Sequence, residues 1–419
     1  MRATRFLLIF LAIIACILLW SRGSAFLPSG ITKPAEAETI APSCIAEFPC
    51  EISSNKPFVQ VRINDSAPYW FILDTGSSYS STIDWNVAAS LGLKIEGEKA
   101  THVGAGEGIQ VKMGGTSGID FDIHGLKLVN QPAAVVELGH VSEYEGRYLD
   151  GTVGYNFISL YVVEIDYAND TIRLYNPASY EYSGSGRVIP FEFISQLPAI
   201  RGALSLPGMQ PVAGTFVVDT GTRMAILLNT PFVEKNKLLD AKMKFLYATV
   251  GGGVGGESKG YVGRIDGMQL GPFLAPQPVV VFLQDKSGVI ASGGFDGIIG
   301  GALLRRTKVI FDYSRRQLIL EPYAASPKPY EYDMSGLFLI GKGPDFRQYV
   351  IQSVMDDSPG ANAGLQRGDI ITTINESPAR EYTLGELREL LTQEGREIKF
   401  EIQRDEKQIS ANFVTRRLI

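Results

Sequence analysis

The chain is 419 residues long, with 39 basic side chains against 45 acidic ones and a net charge of −6. No basic run is present to neutralise phosphates, so nucleic acid is not an expected partner. Its three histidines, His102, His124 and His140, show no ligand spacing, so neither a metal site nor a cofactor is expected.

Met1-Arg2-Ala3-Thr4-Arg5 is basic and leads into an apolar run from Phe6 to Trp20. That run is shorter than the usual spanning length and reads as a signal sequence or short membrane anchor over residues 1–27. Small residues at Gly23 and Ala25, or at Ala35 and Ala37, offer cleavage sites. Ile13-Ile14-Ala15-Cys16 loosely resembles a lipoprotein box, but the apolar Ile17–Trp20 that follows argues against it. Residues 28–43 are rich in Pro, Ala and Glu and read as a linker. The expected location is therefore extracytoplasmic, a bacterial periplasm or envelope, with membrane attachment if the N-terminal segment is uncleaved and secretion if it is removed. Cys44 and Cys50 bracket a small loop and are open to bridging or to remaining free thiols.

A strand-like run, Phe71-Ile72-Leu73, then ends in Asp74-Thr75-Gly76-Ser77. A Gly-rich stretch follows, Thr101-His102-Val103-Gly104-Ala105-Gly106-Glu107-Gly108, and later Asp150-Gly151-Thr152-Val153-Gly154 and Asp166-Tyr167. The whole series then recurs. Phe216-Val217-Val218 ends in Asp219-Thr220-Gly221-Thr222, and its Asp lies 145 positions after Asp74. Thr249-Val250-Gly251-Gly252-Gly253-Val254-Gly255-Gly256 is the second Gly-rich stretch, followed by Asp296-Gly297-Ile298-Ile299-Gly300 and Asp312-Tyr313. The last two repeat at 146 positions. The middle of the chain is a duplicated unit, and each copy brings one carboxylate. Gly251, Gly253 and Gly256 also satisfy G-x-G-x-x-G, but no βαβ pattern surrounds them, so a nucleotide site is not expected.

A lone Asp on a turn after a strand is ordinarily a cap or turn former. Two, brought together by a pseudo-two-fold axis, cannot both ionise at close range, so one keeps its proton while the other stays charged. The pair then offers a base for a bound water and an acid for the carbonyl oxygen that the water attacks. Gly76 and Gly221 permit close backbone approach. Thr75, Thr220, Ser77 and Thr222 supply hydroxyls to hold the carboxylates and loops. Arg223, directly after the second motif, would hold both carboxylates ionised if it pointed at them.

The doubled Asp-Thr-Gly-Ser/Thr motif, with Val153-Gly154 and Ile298-Ile299-Gly300 about eighty residues on, closely resembles the aspartic proteases over roughly residues 45–322. The resemblance implies catalysis by Asp74 and Asp219 and a mainly β, bilobal double β-barrel, with lobes at 44–180 and 186–322 related by pseudo-two-fold symmetry. It also implies that the hydrophobic-Gly segment threads behind each catalytic loop. Flaps are implied at Gly104, Gly106 and Gly108 and at Gly251, Gly252 and Gly253. Two Gly-rich flaps without a tyrosine make the chain look like a retropepsin-type dimer fused into one polypeptide rather than a pepsin.

Pro327-Lys328-Pro329 lies in a linker assigned to 323–332, which leaves 333–417 for a small third domain. Its run Ser358-Pro359-Gly360-Ala361-Asn362-Ala363-Gly364-Leu365-Gln366-Arg367-Gly368-Asp369 resembles the PDZ domains of bacterial envelope proteases. Thr383 and Glu386 form a capping box for a helix faced by Leu384, Leu387, Leu390 and Leu391. The resemblance implies a small α+β, barrel-like domain. Its groove would bind a C-terminal peptide between that helix and Gly336-Leu337-Phe338-Leu339, with Phe338 replacing a usual Gly.

Two functions are consistent with these features. One is an exported aspartic endopeptidase acting on peptides or proteins, with a PDZ module for substrate selection or regulation. The alternative is a catalytically inactive peptide-binding scaffold of the same fold.

Overall fold

A computed structural model of the protein describes residues 44–78, 80–101, 104–291, 294–324 and 328–419. The N-terminal segment, His102, and Pro327 of the linker lie outside the described residues. Among those described, no helix is long and apolar enough to cross a membrane.

The molecule is mainly β. An eight-stranded sheet holds strands of the first half, including Lys56–Ile63, Tyr69–Leu73, Val111–Ile123, Leu126–Val136 and Gly151–Val153. Lys56–Ile63 alternates buried and exposed residues along its second half, as a strand with one wet face must. A second sheet holds the corresponding strands of the second half, with Val212–Asp219, Gly297–Gly300 and a fully buried Val279–Leu283 at its centre.

A third, six-stranded sheet joins the halves. Its central pair sets Val162–Asp166 antiparallel to Thr307–Asp312. In that register Glu164 faces Ile310, its own counterpart 146 residues on. An antiparallel pair that matches a residue with its own repeat has the pseudo-two-fold axis passing through it. Both strands are largely apolar and buried, which suits a seam covered on both faces.

The C-terminal sheet, in the order Leu337–Lys342, Gln348–Val354, Ile370–Ile374, Glu397–Arg404 and Lys407–Val414, closes around a separate core that includes Tyr349, Ile351, Leu387 and Phe400. The capping box at Thr383 is formed, with Glu386 N–H donating to Thr383 Oγ1 at 3.0 Å and Thr383 N–H donating to Glu386 Oε2 at 2.6 Å. Cys44 and Cys50 are both free thiols.

Candidate active site

Each aspartate follows the last residue of, or ends, a buried strand that pairs in parallel with the hydrophobic-Gly strand of its own half. Tyr69–Leu73 lies beside Gly151–Val153, and Val212–Asp219 beside Gly297–Gly300. Asp74 N–H donates to the Val153 carbonyl at 3.0 Å. A Cβ on Gly154 would come within 2.5 Å of the Ser80 carbonyl, and one on Gly300 within 2.4 Å of the Met224 carbonyl. The segment implied to thread behind each loop does so, and only glycine leaves it room.

The two turns interlock across the axis. Thr75 N–H donates to Thr220 Oγ1 and Thr220 N–H to Thr75 Oγ1, both at 3.0 Å. Each hydroxyl then donates across to the other half's strand, Thr75 Oγ1 to the Val218 carbonyl at 2.8 Å and Thr220 Oγ1 to the Leu73 carbonyl at 2.6 Å. Both threonines are buried, so these bonds are made where no water competes. Both N–H groups and both hydroxyls of the pair are spent on holding the two loops in one geometry.

That geometry sets the carboxyls face to face. A Cβ on Gly76 would lie 2.5 Å from Asp219 Cγ, and one on Gly221 would lie 2.6 Å from Asp74 Cγ. Gly76 N–H donates to Asp74 Oδ1 at 2.8 Å and Gly221 N–H to Asp219 Oδ1 at 2.7 Å. The hydroxyls break the symmetry. Thr222 Oγ1 donates to Asp219 Oδ2 at 2.7 Å. Ser77 instead donates to the Ser80 carbonyl at 3.2 Å and accepts from Thr152 Oγ1 at 3.1 Å, leaving Asp74 without that bond. Burial, the Asp219 charge and a hydrogen bond with Asp219 push the Asp74 carboxyl well above the usual carboxylate range, against the opposing charge of Lys56. Arg223 sends its guanidinium to the Val250 carbonyl at 3.4 Å, and among the described residues it forms no ion pair with either aspartate. No cluster of metal-binding side chains occurs among the described residues.

The Gly-rich stretches meet. Glu107 and Gly108 pair with Glu257 and Gly256, Gly255 N–H donates to the Ala105 carbonyl at 2.8 Å, and Ile109 N–H donates to the Gly255 carbonyl at 3.1 Å. Gly104 and Gly253 lie at the same junction, against Val254 and Ala105 respectively, whereas Gly251 faces open space.

Several residues of the site were not read from the sequence as site residues. Lys56 and Glu145 form a buried ion pair at 2.7 Å. Tyr313 lies within electrostatic reach of both aspartates, and burial, then Asp74, Tyr155 and Asp219, push its phenol up. Its repeat counterpart Tyr167 is pushed up by burial, then by Cys50 and Tyr323, with Asp219 the smallest contributor. Their matched spacing marked the duplication, and it was also the signal that they share a place.

The PDZ groove departs from expectation. Leu337, Leu339, Leu384 and Leu387 are all buried. The backbone N–H groups of Gly336 and Leu337, expected to capture a carboxylate, already donate to Asp333 Oδ1, the latter at 3.2 Å. Phe338 packs at a tilt against Tyr144 of the first half, with ring centroids 6.2 Å apart and planes 34° from parallel. Asp333 thus takes two of the N–H groups assigned to a peptide's C-terminal carboxylate.

Residues 59–157, which include Asp74, match the family model described as aspartyl protease, and residues 350–404 match the PDZ domain. The chain therefore carries an aspartyl-protease-type domain followed by a PDZ domain. Asp219 lies beyond the first match and joins the site through geometry and repeat alone. No curated protein sequence matches the chain. Among solved structures, the aspartic proteinase from Irpex lacteus aligns with a TM-score of 0.42 and 15% identity, covering 67% of this chain and 97% of that one.

Proposed function

We propose that the protein is an aspartic endopeptidase in which Asp74 and Asp219 share one proton, with the PDZ domain serving regulation. The observation that carries this reading is the reciprocal Thr75–Thr220 interlock, which holds the two carboxyls opposed at the axis. Asp74 is the protonated partner, since it accepts from the Gly76 N–H and has no hydroxyl donor to match Thr222. Asp219, which accepts from Gly221 and Thr222, is the ionised one.

A water held between them gives a proton to Asp219 as its oxygen bonds to the scissile carbonyl carbon, and Asp74 gives its proton to the carbonyl oxygen. The resulting gem-diol collapses, the C–N bond breaks, and the leaving nitrogen takes the proton from Asp219. A gem-diol hydroxyl proton returns to Asp74 and restores the pair. The zipped flaps must part to admit substrate and close again to exclude water. The basic and apolar residues 1–20 support an extracytoplasmic setting.

The test is incubation of the purified chain with unfolded polypeptides and mass analysis of the products. Internal cleavage that chelators leave unchanged and a secondary-hydroxyl transition-state mimic abolishes is expected. Binding of the same polypeptides without cleavage at any pH would leave a non-catalytic scaffold.

A further inference from the structure

Part of the PDZ groove is taken up by the chain's own residues 143–148. The helix Gly139–Glu145 packs on the strand Leu337–Lys342, and its last turn and the turn after it reach the helix Leu384–Leu390, the other wall of the groove. Arg388, on that second helix, donates to the Tyr144 carbonyl at 2.7 Å and to the Leu339 carbonyl at 3.0 Å, joining both walls of the groove to the inserted segment. Lys342 pairs with Glu143 at 2.8 Å, and Tyr148 Oη donates to the Pro344 carbonyl at 2.6 Å. At the turn Gly146 has φ +68°, and a Cβ there would come within 2.4 Å of Leu384 Cβ. Glycine is required on both counts.

The same segment grips the second flap. His140 Nε2 lies 3.1 Å from the carbonyls of both Gly253 and Val254, so the ring donates to them from that nitrogen. A Cβ on Gly252 would fall 2.1 Å from the Tyr144 ring. The PDZ sheet also reaches the flap directly, through Gln352 donating to Glu257 Oε1. Glu257 is in turn the flap residue paired with Glu107.

We propose that the PDZ domain acts in cis, as a clamp that holds the second flap through residues 139–148, rather than as a receptor for another protein's C-terminal tail. Tyr144 and Arg388 are then positioning residues, acting on the site through the flap. The role in catalysis rests on the proteolytic reading above; the contact itself does not.

Amide hydrogen exchange on the full chain tests the clamp without reference to activity. Arg388→Ala and Tyr144→Ala should each raise exchange across residues 249–258 by roughly tenfold, with the six-stranded sheet unchanged. Tyr144→Ala decides the matter if Arg388→Ala loosens the PDZ domain itself, because Tyr144 belongs to the first half. In the wild type, a decapeptide ending in a free leucine carboxylate should leave exchange in 139–148 unchanged. If the protein proves active, both variants should raise KM for short peptides more than they lower kcat. Unchanged flap exchange in Tyr144→Ala would overturn the proposal. So would protection of Leu337–Lys342 by the peptide together with release of 139–148.

Discussion

Thr222 and Ser77 occupy equivalent places after the two Asp-Thr-Gly turns, yet only Thr222 reaches its carboxylate. In the proposed mechanism the two roles of the aspartates follow from this difference of one hydroxyl. A hydrogen bond to a charged group contributes about 1.5–3 kcal/mol, so Thr222→Val should lower kcat by one to two orders of magnitude. Ser77→Ala, which removes a loop bond and none to Asp74, should cost only about fivefold. Steady-state kinetics on the two variants checks the asymmetry. The shared proton has a second consequence, for stability. With its carboxyl pushed up, the folded protein holds a proton that the unfolded chain releases near about pH 4, so stability falls as pH rises from there through the raised value. Asp333, pushed up to about 6 by burial, adds a slope of the same sign between about pH 4 and 6. Urea midpoints should therefore decline as pH rises above about 4 in the wild type, and less steeply in Asp74→Asn. Equal slopes in the two proteins would show that Asp74 carries no extra proton.

At the scale of elements, the flaps join the two halves as tightly as the catalytic loops do. Gly106 has φ +88°, and a Cβ there would lie 2.1 Å from the Gly256 carbonyl, a backbone atom that cannot step aside alone. Gly106→Ala should unzip the tips and reduce kcat/KM at least about tenfold, while the thermal midpoint of the core changes little. Kinetics and a melting curve on the same sample separate the two effects. The two stretches stood out because each is Gly-rich and lies at the same place after its Asp. Their mutual pairing was not legible, since Glu107 and Glu257 carry like charges and nothing local says that they align. The PDZ helix was legible from Thr383, Glu386 and its leucines. Its partly occupied groove was hidden for a physical reason: Tyr144 and Phe338 meet from 194 positions apart, and neither belongs to a pattern that requires the other. Asp333, just before the expected carboxylate loop, was the one local clue.

For the whole molecule, duplication explains both what the sequence made plain and what it concealed. A repeat shows equivalence, so the paired aspartates and the hydrophobic-Gly segments follow from spacing, while the strand register places the axis at Glu164 and Ile310. A repeat is silent on how the copies differ, and here the differences matter: Thr222 against Ser77, Lys56 and Glu145 on one side only, and a third domain that meets the helix Gly139–Glu145 of the first half and Glu257 of the second. The docking through Arg388 and Tyr144 makes the PDZ domain part of the flap's surroundings rather than a tethered accessory. The central claim, that two carboxyls sharing a proton do the chemistry, is tested most directly by kcat/KM for one short peptide in Asp74→Asn and Asp219→Asn, each confirmed folded. One carboxyl cannot serve as both acid and base, so each variant should lose at least about three orders of magnitude. Activity near that of the wild type in either variant would contradict the shared-proton pair.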